Sequence, residues 1–159
     1  MKTNAARYLD SLQISYELRD YALDTEDFSA IIVAEKVGLP PEQVFKTLLC
    51  VTSDKEHVFA VVPGNAELDF KKLAHAAGAR KAEMVSLKDI QPLTGYIRGG
   101  VTVFGAKKNF PVYVDETVEL FDTVSVSAGI KGTQIVLSPA DYIRAAEATV
   151  ADLTKGGTL

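Results

Sequence analysis

Val44-Phe45-Lys46-Thr47-Leu48-Leu49-Cys50-Val51 carries one charge in the middle of an apolar run. Read as a strand, Val44, Lys46, Leu48 and Cys50 share one face, and Phe45, Thr47, Leu49 and Val51 share the other. Both faces therefore carry core-type residues, which predicts a strand covered on two sides. An ammonium between Val44 and Leu48 costs several kcal/mol unless something anionic or dipolar receives it. Two readings follow. Either the lysine lays its stem on the core and sends its amine to water, or the amine serves a site.

Working outward, the polar turn Ser53-Asp54-Lys55-Glu56 leads into a second apolar strand, Val58 to Pro63. Upstream, Asn4 to Leu12 has a helical stripe, Ser15 to Tyr21 alternates like a strand, and Ser29 to Val37 reads as a helix capped by Ser29 and closed by Gly38. Pro40-Pro41-Glu42 starts a helical turn that feeds the Lys46 strand. Downstream, Asp69 is an N-cap for Phe70 to Ala77, Lys81 to Val85 is a short strand, and Ser86 caps a turn over Leu87 to Ile90. Further strands are expected at Val101 to Phe104, Val112 to Asp115, Thr123 to Ser127 and Gln134 to Leu137, and Ser138-Pro139 opens a last helix to about Thr149. About seven strands with short helices and hairpin-length links imply an α+β fold: one domain built on a mixed, mostly antiparallel sheet. The expected domain spans residues 1–152, with 153–159 as a frayed tail.

The chain has 159 residues, enough for one real core, with 17 basic and 21 acidic side chains and a net charge of -4. That balance argues against a general nucleic-acid or DNA binder. It leaves room for a local basic surface, because Lys71, Lys72, Arg80, Lys81, Arg98, Lys107, Lys108 and Lys131 all lie from residue 71 onward. The single cysteine, Cys50, sits in the apolar strand, where a small buried hydrophobe is expected and no disulfide can form within the chain. No apolar run approaches the roughly 20 residues of a membrane span, and no signal segment is legible, so a cytoplasmic protein is expected.

Three glycine clusters stand apart: Thr94-Gly95-Tyr96-Ile97-Arg98-Gly99-Gly100, Phe104-Gly105, and Ser125-Val126-Ser127-Ala128-Gly129-Ile130-Lys131-Gly132. Such loops bring backbone amides close to a ligand, where they can hold a carboxylate, a phosphate or a developing oxyanion. Taken alone each cluster is a weak signal, and an ordinary turn is the simpler account of any one of them. The glycines match neither a P-loop nor a dinucleotide fingerprint. His57 and His75 lie in a turn and a helix without metal-ligand spacing, and neither accompanies a nucleophile motif. Neither a metal nor a cofactor is expected. A hydrolase built from this chain would rely on backbone dipoles, a lysine, hydroxyls and the substrate's own groups.

The order of segments is more specific than any one of them. Gln43 to Leu49 is followed by Leu68-Asp69-Phe70-Lys71-Lys72-Leu73-Ala74, Gly78-Ala79-Arg80-Lys81-Ala82-Glu83-Met84, the Thr94 to Gly100 loop, the Gly105 to Lys108 stretch and Val126-Ser127-Ala128-Gly129. From about Tyr8 to Asp152 the chain resembles the YbaK/prolyl-tRNA synthetase-associated editing-domain family, in its YbaK branch of Cys-tRNA(Pro) deacylases. The resemblance implies a curved mixed sheet surrounded by helices. It also implies trans-editing, the hydrolysis of the ester that joins a wrong amino acid, cysteine first, to tRNA(Pro), with prolyl-tRNA synthetase as a partner. Lys46 matches the family's essential lysine, Gly99 and Gly100 its substrate-side glycine loop, and Ser127 and Gly129 its second loop. Thr47 joins them as a substrate-binding residue, and Tyr21 and Phe28 fall where the family places pocket aromatics. The chain departs from the pattern at Val103, where relatives often carry proline, and at Gln134, where an aspartate is common. The second change removes a carboxylate that could have been a general base. The resemblance implies that the cysteine substrate's own thiol attacks its carbonyl. An Ala- or Ser-tRNA deacylase, or a non-catalytic tRNA- or synthetase-binding module, are the alternatives.

Overall fold

A computed structural model describes residues 2–24, 26 and 29–156. In chain order the elements are α1 (Asn4–Ser11), β1 (Glu17–Asp20), α2 (Ala30–Val37), β2 (Phe45–Thr52), β3 (His57–Pro63), α3 (Phe70–Ala76), β4 (Ala82–Met84), α4 (Leu87–Thr94), β5 (Val112–Asp115), β6 (Val124–Ser127), β7 (Thr133–Leu137), α5 (Pro139–Ala146) and β8 (Thr149–Ala151). Two single 3-10 turns, Pro41–Gln43 and Glu116–Leu120, precede β2 and β6.

The strands form a five-stranded sheet in the order β4-β2-β3-β5-β8 and a three-stranded sheet in the order β1-β7-β6. Four of the pairings are antiparallel, and β3–β5 and β5–β8 are parallel, so the sheets are mixed and mostly antiparallel as the sequence predicts. The β2–β3 hairpin is the centre, with Lys46 opposite Val62 and Leu48 opposite Ala60. Its alternation supplies two cores. Phe45, Leu49, Phe59 and Val61 face the three-stranded sheet and meet Val124, Val126, Ile135 and Leu137, together with Leu9 of α1 and Tyr142 of α5. On the opposite face Cys50, Val58, Ala60 and Val62 meet Leu68, Leu73 of α3 and Leu153. Lys46 shares the register parity of Leu48 and Cys50 and so lies at the open end of this second face.

Helix ends follow the expected capping chemistry. The Ser29 hydroxyl accepts the Ile32 N–H at 3.5 Å, Gly38 closes α2 in the left-handed region, and the Asp69 carboxylate accepts the Lys71 and Lys72 N–H groups at 2.9 and 3.2 Å.

Four expectations need correcting. Val101 to Phe104 is a loop rather than a strand. Gly100 before it and Gly105 (φ +67°) after it break the extension, and the Tyr96 hydroxyl donates to the Phe104 carbonyl at 2.6 Å. The helix over Leu87 to Ile90 continues through Pro92 to Thr94, whose hydroxyl donates to the Ile90 carbonyl at 2.8 Å. The last helix stops at Ala146, because Glu147 turns into the left-handed region (φ 51°), and β-branched Thr149 and Val150 then pair with β5 as β8. Finally, Leu153 and Thr154 are anchored rather than frayed. The Leu153 N–H donates to the buried Asp115 carboxylate at 2.8 Å, Thr154 bridges Leu68, and Leu153 is 0 % exposed.

Leu153→Ala should therefore destabilise the protein by about 2–5 kcal/mol in denaturant unfolding. A loss below about 0.5 kcal/mol would mark the segment as a dispensable tail.

Candidate active site

The outer edge of β2 is shared by two other strands and left bare between them. β4 pairs only with Cys50, Val51 and Thr52. At the other end, Val44 makes an isolated parallel bridge to Ser125 of β6. The Leu49 carbonyl accepts the Val85 N–H at 3.0 Å on this edge. Backbone groups alternate sides along an antiparallel strand, so the N–H and C=O of Thr47 point out along the same edge. No strand among the described residues covers them.

The gap is a cleft of about 470 Å³. Because it straddles a strand edge, it takes residues from both faces of β2: Lys46 and Leu48 from one, Phe45, Thr47 and Leu49 from the other. Val33 of α2, Met84 and Val85, Leu87 and Ile90 of α4, and Val101 make apolar walls. Arg98, Gly99, Ser29, Ser127 and Gln134 supply the remaining polar lining. Among the described residues that line it, there is no carboxylate, histidine or cysteine. Lys46 and Arg98 thus give the cleft a positive charge with no acidic counterweight inside it.

The Lys46 ammonium makes no hydrogen bond or ion pair among the described residues, and its side chain is half-buried. Burial pulls its pKa below the ordinary lysine value, and the Glu67 carboxylate, exposed and ion-paired to Lys155 at 3.3 Å, opposes that pull only in part. The snorkelling and functional readings converge here: the lysine is half-buried, and its side chain lines a cleft rather than open surface.

Ser127 and Gln134 are oriented by hydrogen bonds. Ser127 Oγ accepts the Gly129 N–H at 3.1 Å, which leaves its own proton to donate. Ser125 Oγ, 0 % exposed, donates to Gln134 Oε1 at 2.7 Å. Ser127 and Gln134 are opposite one another in the β6–β7 register. Cys50 lies behind the wall, 0 % exposed, with Sγ 3.9 Å from Met84 Sδ, and burial pushes its thiol pKa up to about 12. It packs as a hydrophobe.

Of the sequence-derived site residues, Lys46, Thr47, Gly99 and Ser127 line this one cleft. Gly100 and Gly129 stand behind it and hold its two loops together. A side chain on Gly100 would come within 3.1 Å of Ile130 Cα and 3.3 Å of Gly129 C. Gly99 has φ +92° and lies under the Lys131 stem, where an added Cβ would sit 2.9 Å from Lys131 Cε. Tyr21 follows β1, its N–H donates to the Gly132 carbonyl at 2.8 Å, and its hydroxyl is buried without a partner among the described residues. It is not among the residues that line the cleft. Phe28 lies outside the described residues. Sequence reasoning missed Val33, Met84, Ile90 and Val101, which in the sequence are indistinguishable from core residues. Arg98 stood out only as one basic residue among many, and Gln134 only as a missing carboxylate.

Residues 28–145 match the family described as the aminoacyl-tRNA editing domain. The chain is 42% identical over 153 residues to a protein of Enterococcus faecalis provisionally named Cys-tRNA(Pro)/Cys-tRNA(Cys) deacylase EbsC, covering 96% of this chain and 93% of that one. It is 28% identical over 119 residues to the Escherichia coli multifunctional Ser/Thr-tRNA deacylase ProXp-y, covering 72% of this chain and 71% of that one. The fold matches a crystal structure provisionally described as a trans-editing enzyme for prolyl tRNA synthetase with a TM-score of 0.84, at 24% identity over 98% of this chain and 99% of that one.

The lowered Lys46 pKa has a signed consequence for stability. Between the folded value and the unfolded value near 10.4 the folded protein holds fewer protons, so this lysine's contribution to stability rises with pH across that window and is at its least favourable below it. Lys46→Met should melt higher than the parent at pH 7, by no more than about 2 °C because water screens a half-buried amine. The difference should vanish above pH ~10.4. A variant that melts lower at pH 7 would show that the amine has a stabilising partner in the fold.

Proposed function

The chain belongs to the aminoacyl-tRNA editing domain family, and from that premise we propose that it is a trans-editing deacylase. It would hydrolyse the ester of mischarged tRNA(Pro), with cysteine as the amino acid removed. The observation that carries this reading is the cleft itself: two cations without partners among its lining residues, apolar walls, hydroxyl and amide donors, and no acid or histidine. Those are the properties that hold a short aminoacyl group on a phosphate-bearing ribose.

The chemistry follows from what the cleft contains. Ser29 and Ser127 line it, but no described lining residue is a carboxylate or histidine, and Lys46, charged as it anchors the substrate, is not a base for either hydroxyl. The nucleophile therefore comes with the substrate. The thiol of a cysteinyl ester gives up its proton to water and attacks its own carbonyl. The carbonyl–oxygen bond then breaks, the terminal ribose oxygen leaves and takes a proton, and water opens the cyclic thioester. Lys46 in its charged form anchors the phosphate or ribose and counters the negative charge that builds on the ester. Arg98 adds to the same field at the mouth. The outward N–H of Thr47 and amides of the Gly99 loop are the donors available to the oxyanion, each worth about 3 kcal/mol when well placed.

Supporting the choice of amino acid are the 42% identical relative named for cysteinyl substrates and the lack of a protein nucleophile. The structural neighbour described as a trans-editing enzyme for prolyl tRNA synthetase supports tRNA(Pro) and that synthetase as partners. Among the described residues no helix is long and apolar enough to cross a membrane, and we place the activity in the cytoplasm, where tRNA is charged.

Incubating the protein with Cys-, Ser-, Ala- and Pro-tRNA(Pro) and following ester loss tests the proposal. Cys-tRNA(Pro) should disappear fastest and Pro-tRNA(Pro) should persist. Lys46→Ala should remain folded and lose about 10²-fold or more in rate. Wild-type activity should fall on the alkaline side below the pH at which an ordinary lysine discharges, because the charged amine is the active form. Loss of Ala-tRNA but not Cys-tRNA would overturn the cysteinyl assignment. Tight tRNA binding with no ester loss would make the protein a binding module.

A further inference from the structure

Gln134 is a buried polar side chain whose two ends do different things. It is 5 % exposed, and its Oε1 accepts the Ser125 hydroxyl at 2.7 Å. Ser125 is itself fully buried, so this bond fixes which end of the amide points inward. Gln134 Nε2 has no partner among the described residues, and the side chain lines the cleft beside Ser127. Ser127 accepts the Gly129 N–H through its oxygen, so it too has a proton left to give. Across the register on the other side, Arg19 is turned away: its Nε bonds Glu17 at 2.5 Å, and an Nη bonds the Val37 carbonyl at 3.1 Å. This end of the cleft therefore offers two uncharged hydrogen-bond donors, the Gln134 amide and the Ser127 hydroxyl.

We propose that Gln134 is a specificity-determining residue whose amide donates to a heteroatom at the tip of a small aminoacyl side chain. The inference rests on the deacylase reading for the identity of the ligand as an aminoacyl ester. It deepens that reading by naming the substrate class: seryl and cysteinyl groups, which carry an oxygen or sulfur one bond beyond Cβ, over alanyl, which carries nothing there. A purely apolar cleft separates such side chains poorly, whereas a site that leaves a buried donor unpaired with the wrong ligand separates them well. Selection then has two stages. Gln134 sorts polar tips from alanyl on binding, and the attack of the thiol sorts cysteinyl from seryl in the chemical step. An ionised aspartate or glutamate at this position would present acceptors only, and would pair with a seryl hydroxyl or cysteinyl thiol by accepting its proton rather than by donating.

The test measures binding, so that it does not depend on turnover. The probes are alanyl, seryl and cysteinyl groups joined to 3′-amino-3′-deoxyadenosine by a non-hydrolysable amide, titrated calorimetrically into the wild type, Gln134→Met and Gln134→Glu. The wild type should bind the seryl and cysteinyl probes about tenfold more tightly than the alanyl probe. Gln134→Met, similar in length but without a donor, should bind all three equally. Gln134→Glu keeps an acceptor for Ser125; tested with an O-methylseryl probe, which can only accept, it should lose that probe's advantage over alanyl at neutral pH and regain it in acid, when the carboxyl again carries a proton to donate. That recovery is a response that a merely structural role would not give, and it remains readable if the methionine variant folds poorly. Equal binding of the three probes by the wild type, or a preference retained in Gln134→Met, overturns the proposal. Turnover of charged tRNA by the wild type reads the other claim separately: selective binding without ester loss supports Gln134 and sinks the deacylase.

Discussion

The structure depends on an interrupted strand edge. β2 must be covered on both faces to bury Phe45, Leu49 and Cys50, yet its outer edge is completed by β4 only from Cys50 onward and touched by β6 only at Val44. A continuous neighbour would satisfy the backbone of Thr47 and close the cleft. Unpaired strand edges are a liability for folded proteins, and this one is recessed between α2, α4 and the two glycine loops rather than displayed to solvent. The same interruption explains Lys46. A charge at that position is costly in a closed sheet but inexpensive at a water-filled edge, where its stem can still cover the Leu48 side of the core.

Much of the fold was legible because the central hairpin is strongly patterned. Short, strongly apolar runs over Val44–Val51 and Val58–Pro63, joined by a polar turn, marked both strands, and the capping roles of Ser29, Gly38 and Asp69 followed from local chemistry. The errors arose where tertiary pairing overrode local signals. Val101 to Phe104 is β-prone, but it is bracketed by glycines and tied to Tyr96, so it wraps the cleft as a loop. The sequence predicts a last helix to about Thr149, but β5 has an edge for Thr149 to Ala151 to join. Nothing local marked Leu153 as buried, because its partner Asp115 is 38 residues away in the chain.

The site was legible in part for a related reason. Lys46 is conspicuous in sequence because it breaks a pattern, and the glycine loops are conspicuous because glycine is chemically distinctive. Residues that merely continue an apolar pattern, such as Val33, Ile90 and Met84, cannot be told from core until the gap beside β2 is seen. The structure also divides the glycines by role. Gly99 lies at the cleft, whereas Gly100 and Gly129 let the two loops pack at backbone distance. Gln134 changed most in meaning: from a lost carboxylate it became a buried amide oriented by Ser125.

The central claim is that the bare edge of β2 is where the aminoacyl end of the tRNA sits. Backbone amide NMR of the protein titrated with the non-hydrolysable cysteinyl-adenosine amide tests it most directly. The largest shifts should fall on Lys46, Thr47 and Leu48, with further shifts at Gly99 and Ser127. Shifts confined to the smaller cavity of about 260 Å³ bounded by Tyr8, Val103 and Phe110, with Thr47 unmoved, would contradict the account.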